Sequence, residues 1–181
     1  MNTAILYNKK ISVNCITYAT LILASVCLPQ LVHLSLGAPG GKLLLPMYLP
    51  VLLAGCFMGS MSGMLVGILS PLVSYTVTSV IATPMPATAM LPIMTAELAI
   101  FGLVSGLWSK KIAKSTLYVI PAILSAQICG RLLVVLSAAM NGTFSAGIEQ
   151  VVSSWRGLVL QIILVPVITI VVKAFTQRNN D

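Results

Sequence analysis

Acidic side chains are nearly missing from this sequence: Glu97, Glu149 and Asp181 are the only carboxylates in 181 residues. Charged residues of both signs make up 7% of the chain, against roughly 25% in an average soluble domain. There is one histidine, His33, and the four cysteines (Cys15, Cys27, Cys56 and Cys129) stand singly in apolar surroundings with no C-x-x-C spacing. That pattern reads as buried free thiols, and neither a disulfide framework nor a zinc site has residues to build it. No G-x-x-x-x-G-K-[ST] phosphate loop and no H-E-x-x-H helix occurs, so neither nucleotide hydrolysis nor metalloprotease chemistry can be located in the sequence. A lone Glu without a neighbouring His, second acid or nucleophile is a weak basis for catalysis. The expectation is a binding protein without metal or cofactor.

What is present is hydrocarbon. Hydrophobic residues reach 58% and the mean hydropathy is +1.04. At about 20 apolar residues per spanning helix, the chain has room for about six spans and little else. A β-barrel would show roughly ten-residue segments of alternating polarity, whereas these runs are continuously apolar. The sequence therefore predicts an all-α integral membrane protein, one transmembrane domain over 1–181, with six helices at about 11–33, 43–58, 60–81, 88–108, 116–140 and 151–175. The first apolar run is longer than a signal-peptide core and is read as a retained helix. Breakers separate the runs, at Gly37-Ala38-Pro39-Gly40-Gly41, at Thr83-Pro84-Met85-Pro86 and at Asn141-Gly142-Thr143. Pro46 and Pro50 imply bends in the short second helix, and Pro71 lies within the third.

The net charge of +7 would suggest a nucleic-acid partner in a soluble protein, but the basic residues flank apolar runs and read as topology signals. With six spans, Lys9, Lys10, Lys110, Lys111, Lys114, Lys173 and Arg178 share one side, leaving Lys42 and Arg156 opposite. The positive-inside rule puts that side, with both termini, in the cytoplasm. Glycines repeat every four residues at Gly55, Gly59, Gly63 and Gly67, and again at Gly102 and Gly106. Such smooth stripes let helix backbones approach, either within the bundle or against a partner.

Two charges lie inside spans. Glu97 is the only charged residue from Leu43 to Trp108, and Arg131 the only one between Lys114 and Glu149. Ionisable groups at membrane depth are costly and mark functional sites by default. Helix rise puts Glu97 about 14 Å from the outer end of its span and Arg131 about 22 Å from the inner end of the next, so the two can meet. Either they form an internal ion pair locking two helices, or they meet a polar solute arriving from outside. Gln127, one turn before Arg131, joins the candidate site, as do Tyr48, Asn141 and Trp155 near the same face. Trp155 reads equally as an interfacial anchor.

Two stretches carry a family resemblance: Leu45-Pro46-Met47-Tyr48-Leu49-Pro50-Val51-Leu52-Leu53-Ala54-Gly55 and Glu97-Leu98-Ala99-Ile100-Phe101-Gly102-Leu103-Val104-Ser105-Gly106-Leu107. In these, and in its size, the chain resembles the substrate-binding S components of energy-coupling factor (ECF) transporters. The resemblance implies a bacterial plasma-membrane subunit that captures a small water-soluble vitamin, B6-like or pantothenate-like. It further implies a transmembrane coupling subunit and two ATPase subunits as partners. Family members often dock the coupling subunit through an Ala-x-x-x-Ala face on the first helix. Here Thr20-x-x-x-Ala24 stands in its place, making Thr17, Thr20 and Ala24 the candidate docking residues. The competing expectations are a self-sufficient proton-coupled carrier and a membrane enzyme using Glu97 as a base.

Overall fold

The structure is a computed structural model of the chain and describes residues 16–32, 35, 46–81 and 84–178. His33, Lys9, Lys10, Lys42, Cys15, the loop expected at 37–41 and the tail at 179–181 lie outside the described residues, as do the expected starts of the first two helices. Among the described residues there is no strand. The helices are α1 (Ile16–Val32), α2 (Tyr48–Met58), α3 (Ser60–Ile81), α4 (Leu91–Leu107), α5 (Ser109–Lys114), α6 (Val119–Met140), α7 (Phe144–Ser153) and α8 (Trp155–Arg178). Short 3₁₀ turns, Thr88–Met90 and Thr116–Tyr118, lead into α4 and α6. Four segments among the described residues are long and apolar enough to cross a membrane: Ser60–Val80, Thr88–Leu107, Thr116–Met140 and Trp155–Ala174. This is an α-helical membrane protein.

The distribution of polarity is inverted relative to a soluble bundle. On α6, Ile120, Leu124, Ile128, Leu132 and Leu136 are exposed at four-residue spacing, while Gln127 and Arg131 are buried. Ser70, Ser74, Gln161 and Thr169 are likewise fully buried. With lipid as solvent, apolar faces need no shelter and polar groups must find partners inside.

Over its described residues α2 is about 16 Å long at 1.5 Å per residue, and it is buried on nearly every side. It packs against α3, α4, α5 and α8. Pro50 falls in its first turn, where no intrahelical N–H is required, so it need not bend the helix there. Gly59 ends α2 at φ +95°, a conformation that side chains disfavour, and its N–H bonds Gly55 O at 3.0 Å. Gly59 is thus the hinge between α2 and α3 rather than part of a helical stripe. The remaining glycines close the α3–α4 interface: a Cβ on Gly102 would stand 2.0 Å from Gly63 O, and one on Gly67 would stand 2.3 Å from Leu98 O. The repeats therefore serve packing within the bundle.

One expected helix is two. The span predicted over about 151–175 is interrupted at Ser154, whose Oγ donates to Gln150 O and Val151 O while its own carbonyl accepts from Gly157 and Leu158 N–H. Upstream, α7 begins at Phe144, in a stretch whose Ser, Glu and Gln content reads as loop. It is amphipathic, with Phe144, Ile148 and Val152 exposed on one face and Gly147 buried against Ala138 of α6. The connection after α4 is also ordered: Lys173 Nζ donates to Ile112 O, tying the far end of α8 to α5.

Candidate functional site

Glu97, one turn and a half into α4, is 1% exposed, and Arg131 on the antiparallel α6 is 7% exposed. Arg131 Nη1 stands 2.9 Å from Glu97 Oε1. The contact is close enough for full ionic attraction but is not aligned as a hydrogen bond, so Oε1 accepts none. The aligned bond comes from α2, where Tyr48 OH donates to Glu97 Oε2 at 2.6 Å. Short, charge-assisted bonds of this kind are about twice as strong as neutral ones. The buried first residue of α2 therefore fixes the carboxylate.

Aromatic rings flank the guanidinium. Tyr48 and Phe101 meet edge to face, with centroids 4.9 Å apart and planes at 76°. The Arg131 Cζ lies 5.5 Å from the first ring and 5.9 Å from the second. Such cation–π contacts are strongest where water is excluded. Phe101 finds its place because residue 130 is glycine: a Cβ there would come within 2.1 Å of the Phe101 ring.

The polar track continues into α8. Gln127, one turn before Arg131, donates through Nε2 to Leu158 O at 3.0 Å and to Gln161 Oε1 at 3.2 Å. Because Gln127 presents its amide N–H₂ there, Gln161 must present its oxygen to it and turn its own nitrogen elsewhere. Three buried nitrogens, Arg131 Nε, Arg131 Nη2 and Gln161 Nε2, have no acceptor among the described residues.

A cleft of about 570 Å³ opens between α4 and α6 toward α7. Pro92, Ile93 and Ala96 form one wall, Val134, Ser137 and Ala138 the other, with Asn141 and Gln150 at the rim. Ala96 precedes Glu97 directly, and Val134 lies three residues after Arg131, so the cleft reaches the depth of the ion pair, although neither Glu97 nor Arg131 lines it.

Of the residues singled out in the sequence, Tyr48, Glu97 and Arg131 are in direct contact, and Gln127 lies one turn away. Asn141 is exposed and donates to Ser137 O at 2.9 Å, at the cleft's rim. Trp155 stands apart, 56% exposed, with the Arg156 guanidinium 5.8 Å from its ring centroid. On α1, Thr17 and Ala24 are half-buried and Thr20 is exposed, its Oγ1 donating to Ile16 O. α1 is held to α3 by a 2.5 Å hydrogen bond from Tyr18 OH to Ser62 Oγ. Gln161 and Phe101 went unnoticed in the sequence. Gln161 carried a signal, being the only polar side chain between Arg156 and Thr169.

No protein-family model matches the chain, and no curated protein or solved structure matches it.

Proposed function

We propose that the chain is the substrate-binding subunit of an ECF-type importer in the bacterial plasma membrane. In this reading six helices span the bilayer, both termini are cytoplasmic, and a small water-soluble micronutrient, B6-like or pantothenate-like, is captured from outside. A transmembrane coupling subunit and two ATPase subunits then drive its delivery. The observation that carries the reading is the buried Tyr48–Glu97–Arg131 cluster, at the depth that the α4–α6 cleft reaches, with guanidinium and amide nitrogens left without acceptors among the described residues. A buried pair alone is a poor stabiliser compared with apolar packing, so buried donors left over favour a solute.

Charge supports the orientation. Lys110, Lys111 and Lys114 lie on α5, which Lys173 contacts through Ile112 O at one end of the bundle, and the cleft lies at the other. The basic end belongs in the cytoplasm, so the cleft opens outward. No nucleotide-binding motif is present in the sequence, and in this reading the energy comes from partners.

Proteoliposomes containing the chain with its coupling and ATPase subunits test the proposal. Uptake of radiolabelled micronutrient is expected only with internal ATP, and Ala24→Trp on the α1 face is expected to abolish uptake while leaving binding affinity unchanged. Uptake by the chain alone, driven by a pH gradient, would instead establish a self-sufficient carrier.

A further inference from the structure

The unanswered groups in the cluster are nearly all of one kind. Arg131 Nε and Nη2 and Gln161 Nε2 are donors only, and Arg131 and Gln161 are 7% and 0% exposed. The one oxygen without an aligned hydrogen bond, Glu97 Oε1, already has Arg131 Nη1 at 2.9 Å. The site asks for acceptors. It does not ask for charge, because the Arg131 cation is matched by the Glu97 anion and no other charged side chain lies within the spans that form the cluster's α4 and α6 walls.

From this imbalance we infer that the site takes an uncharged, carbonyl-bearing solute in preference to the corresponding carboxylate. The inference rests on the binding role proposed above and adds the chemical class of the solute. A carboxamide, lactam or aldehyde oxygen accepts from the free edge of the guanidinium, or from the Gln161 amide, without altering the net charge of the site. A carboxylate accepts equally well but must shed its water beside Glu97, sharing a single guanidinium with it. Removing an ion from water costs several kcal/mol even after relaxation, and a half-share of one cation repays only part of that. The orphaned donors otherwise cost about 1–3 kcal/mol each, and a neutral acceptor relieves this with no such penalty. Of the two micronutrient types considered, the B6-like aldehyde fits this rule and the pantothenate-like acid does not.

Charge also provides a switch. Glu97→Gln keeps an acceptor for Tyr48 OH and the approximate shape of the side chain, but leaves Arg131 as an uncompensated cation. The same pocket then favours an anion.

The test uses the full-length chain in lipid nanodiscs and calorimetric titration with matched probes: nicotinamide and nicotinate, pantothenol and pantothenate, pyridoxal and 4-pyridoxate. In wild type, the member of any pair that lacks the carboxylate and has no net charge is expected, where the pair binds, to bind at least about tenfold more tightly, a difference of about 1.4 kcal/mol. In Glu97→Gln the order is expected to reverse. A wild-type chain that binds a carboxylate as tightly as its uncharged partner overturns the charge rule and leaves the binding role standing. Failure of every probe to bind either form overturns both. The wild-type comparison decides the matter alone if the variant does not fold.

Discussion

Arg131→Ala is expected to destabilise the bundle by about 3–5 kcal/mol, the loss typical when one member of a buried ion pair is removed. The substitution leaves Glu97 charged, 1% exposed and held only by Tyr48 OH. It also removes the guanidinium packed over Tyr48 and Phe101, leaving a void against two rings. The effect should be coupled to Glu97. The double variant Glu97→Gln, Arg131→Met replaces the pair by an amide and an apolar chain of similar length, and is expected to regain most of the lost stability. It should nevertheless fail to bind solute, because the guanidinium donors are gone. Denaturant titration of the purified chain in detergent measures all three forms. If Arg131→Ala alone is as stable as wild type, the pair is not the buried link between α4 and α6 described above.

Gly102→Val is expected to do comparable damage by a different route. A Cβ at this position would stand 2.0 Å from Gly63 O and 2.2 Å from Gly63 C, and the obstacle is the backbone of α3 rather than a side chain that can rotate away. The helices must separate, losing the reciprocal contacts at Gly67 and Gly106 as well. Overpacking in ordinary cores costs about 1–3 kcal/mol, and here there is no flexible atom to yield, so at least the upper end of that range is expected. Since Glu97 and Phe101 sit on the same helix, solute binding should fall with stability. Gly142→Asn is the control: that glycine has φ +70°, which Asn tolerates, and nothing lies within 4 Å of its Cβ position. Melting temperature and monodisperse yield are expected to drop sharply for the first variant and little for the second.

These expectations show which features could be read from the chain. Glu97 and Arg131 were legible because a charge in an uninterrupted apolar run has no bland explanation, and helix rise alone put them at compatible depths. Tyr48 was named for its position, yet its bond to Glu97 could not be read from spacing, because α2 reaches α4 only through the hinge at Gly59. The glycine repeats announced close packing and the helix bounds put a turn at residue 59, but only the three-dimensional arrangement showed that Gly63 and Gly102 answer each other. Gln161 was missed for a specific reason: an uncharged amide lowers hydropathy far less than a charge and disappears within a strongly apolar window. α7 was missed because its Phe144, Ile148, Val152 stripe is interleaved with Ser, Glu and Gln, which suits a helix with one apolar face but resembles a connecting loop when helices are sought by continuous hydropathy.

The central claim is that the Tyr48–Glu97–Arg131 cluster holds a small polar solute. Native mass spectrometry of the full-length chain, released from the membranes of cells grown in rich medium, tests it most directly. The account expects a one-to-one adduct of a water-soluble micronutrient on the wild-type chain and none on the double variant Glu97→Gln, Arg131→Met. A wild-type chain carrying only lipid, or the same adduct retained by the double variant, would contradict it.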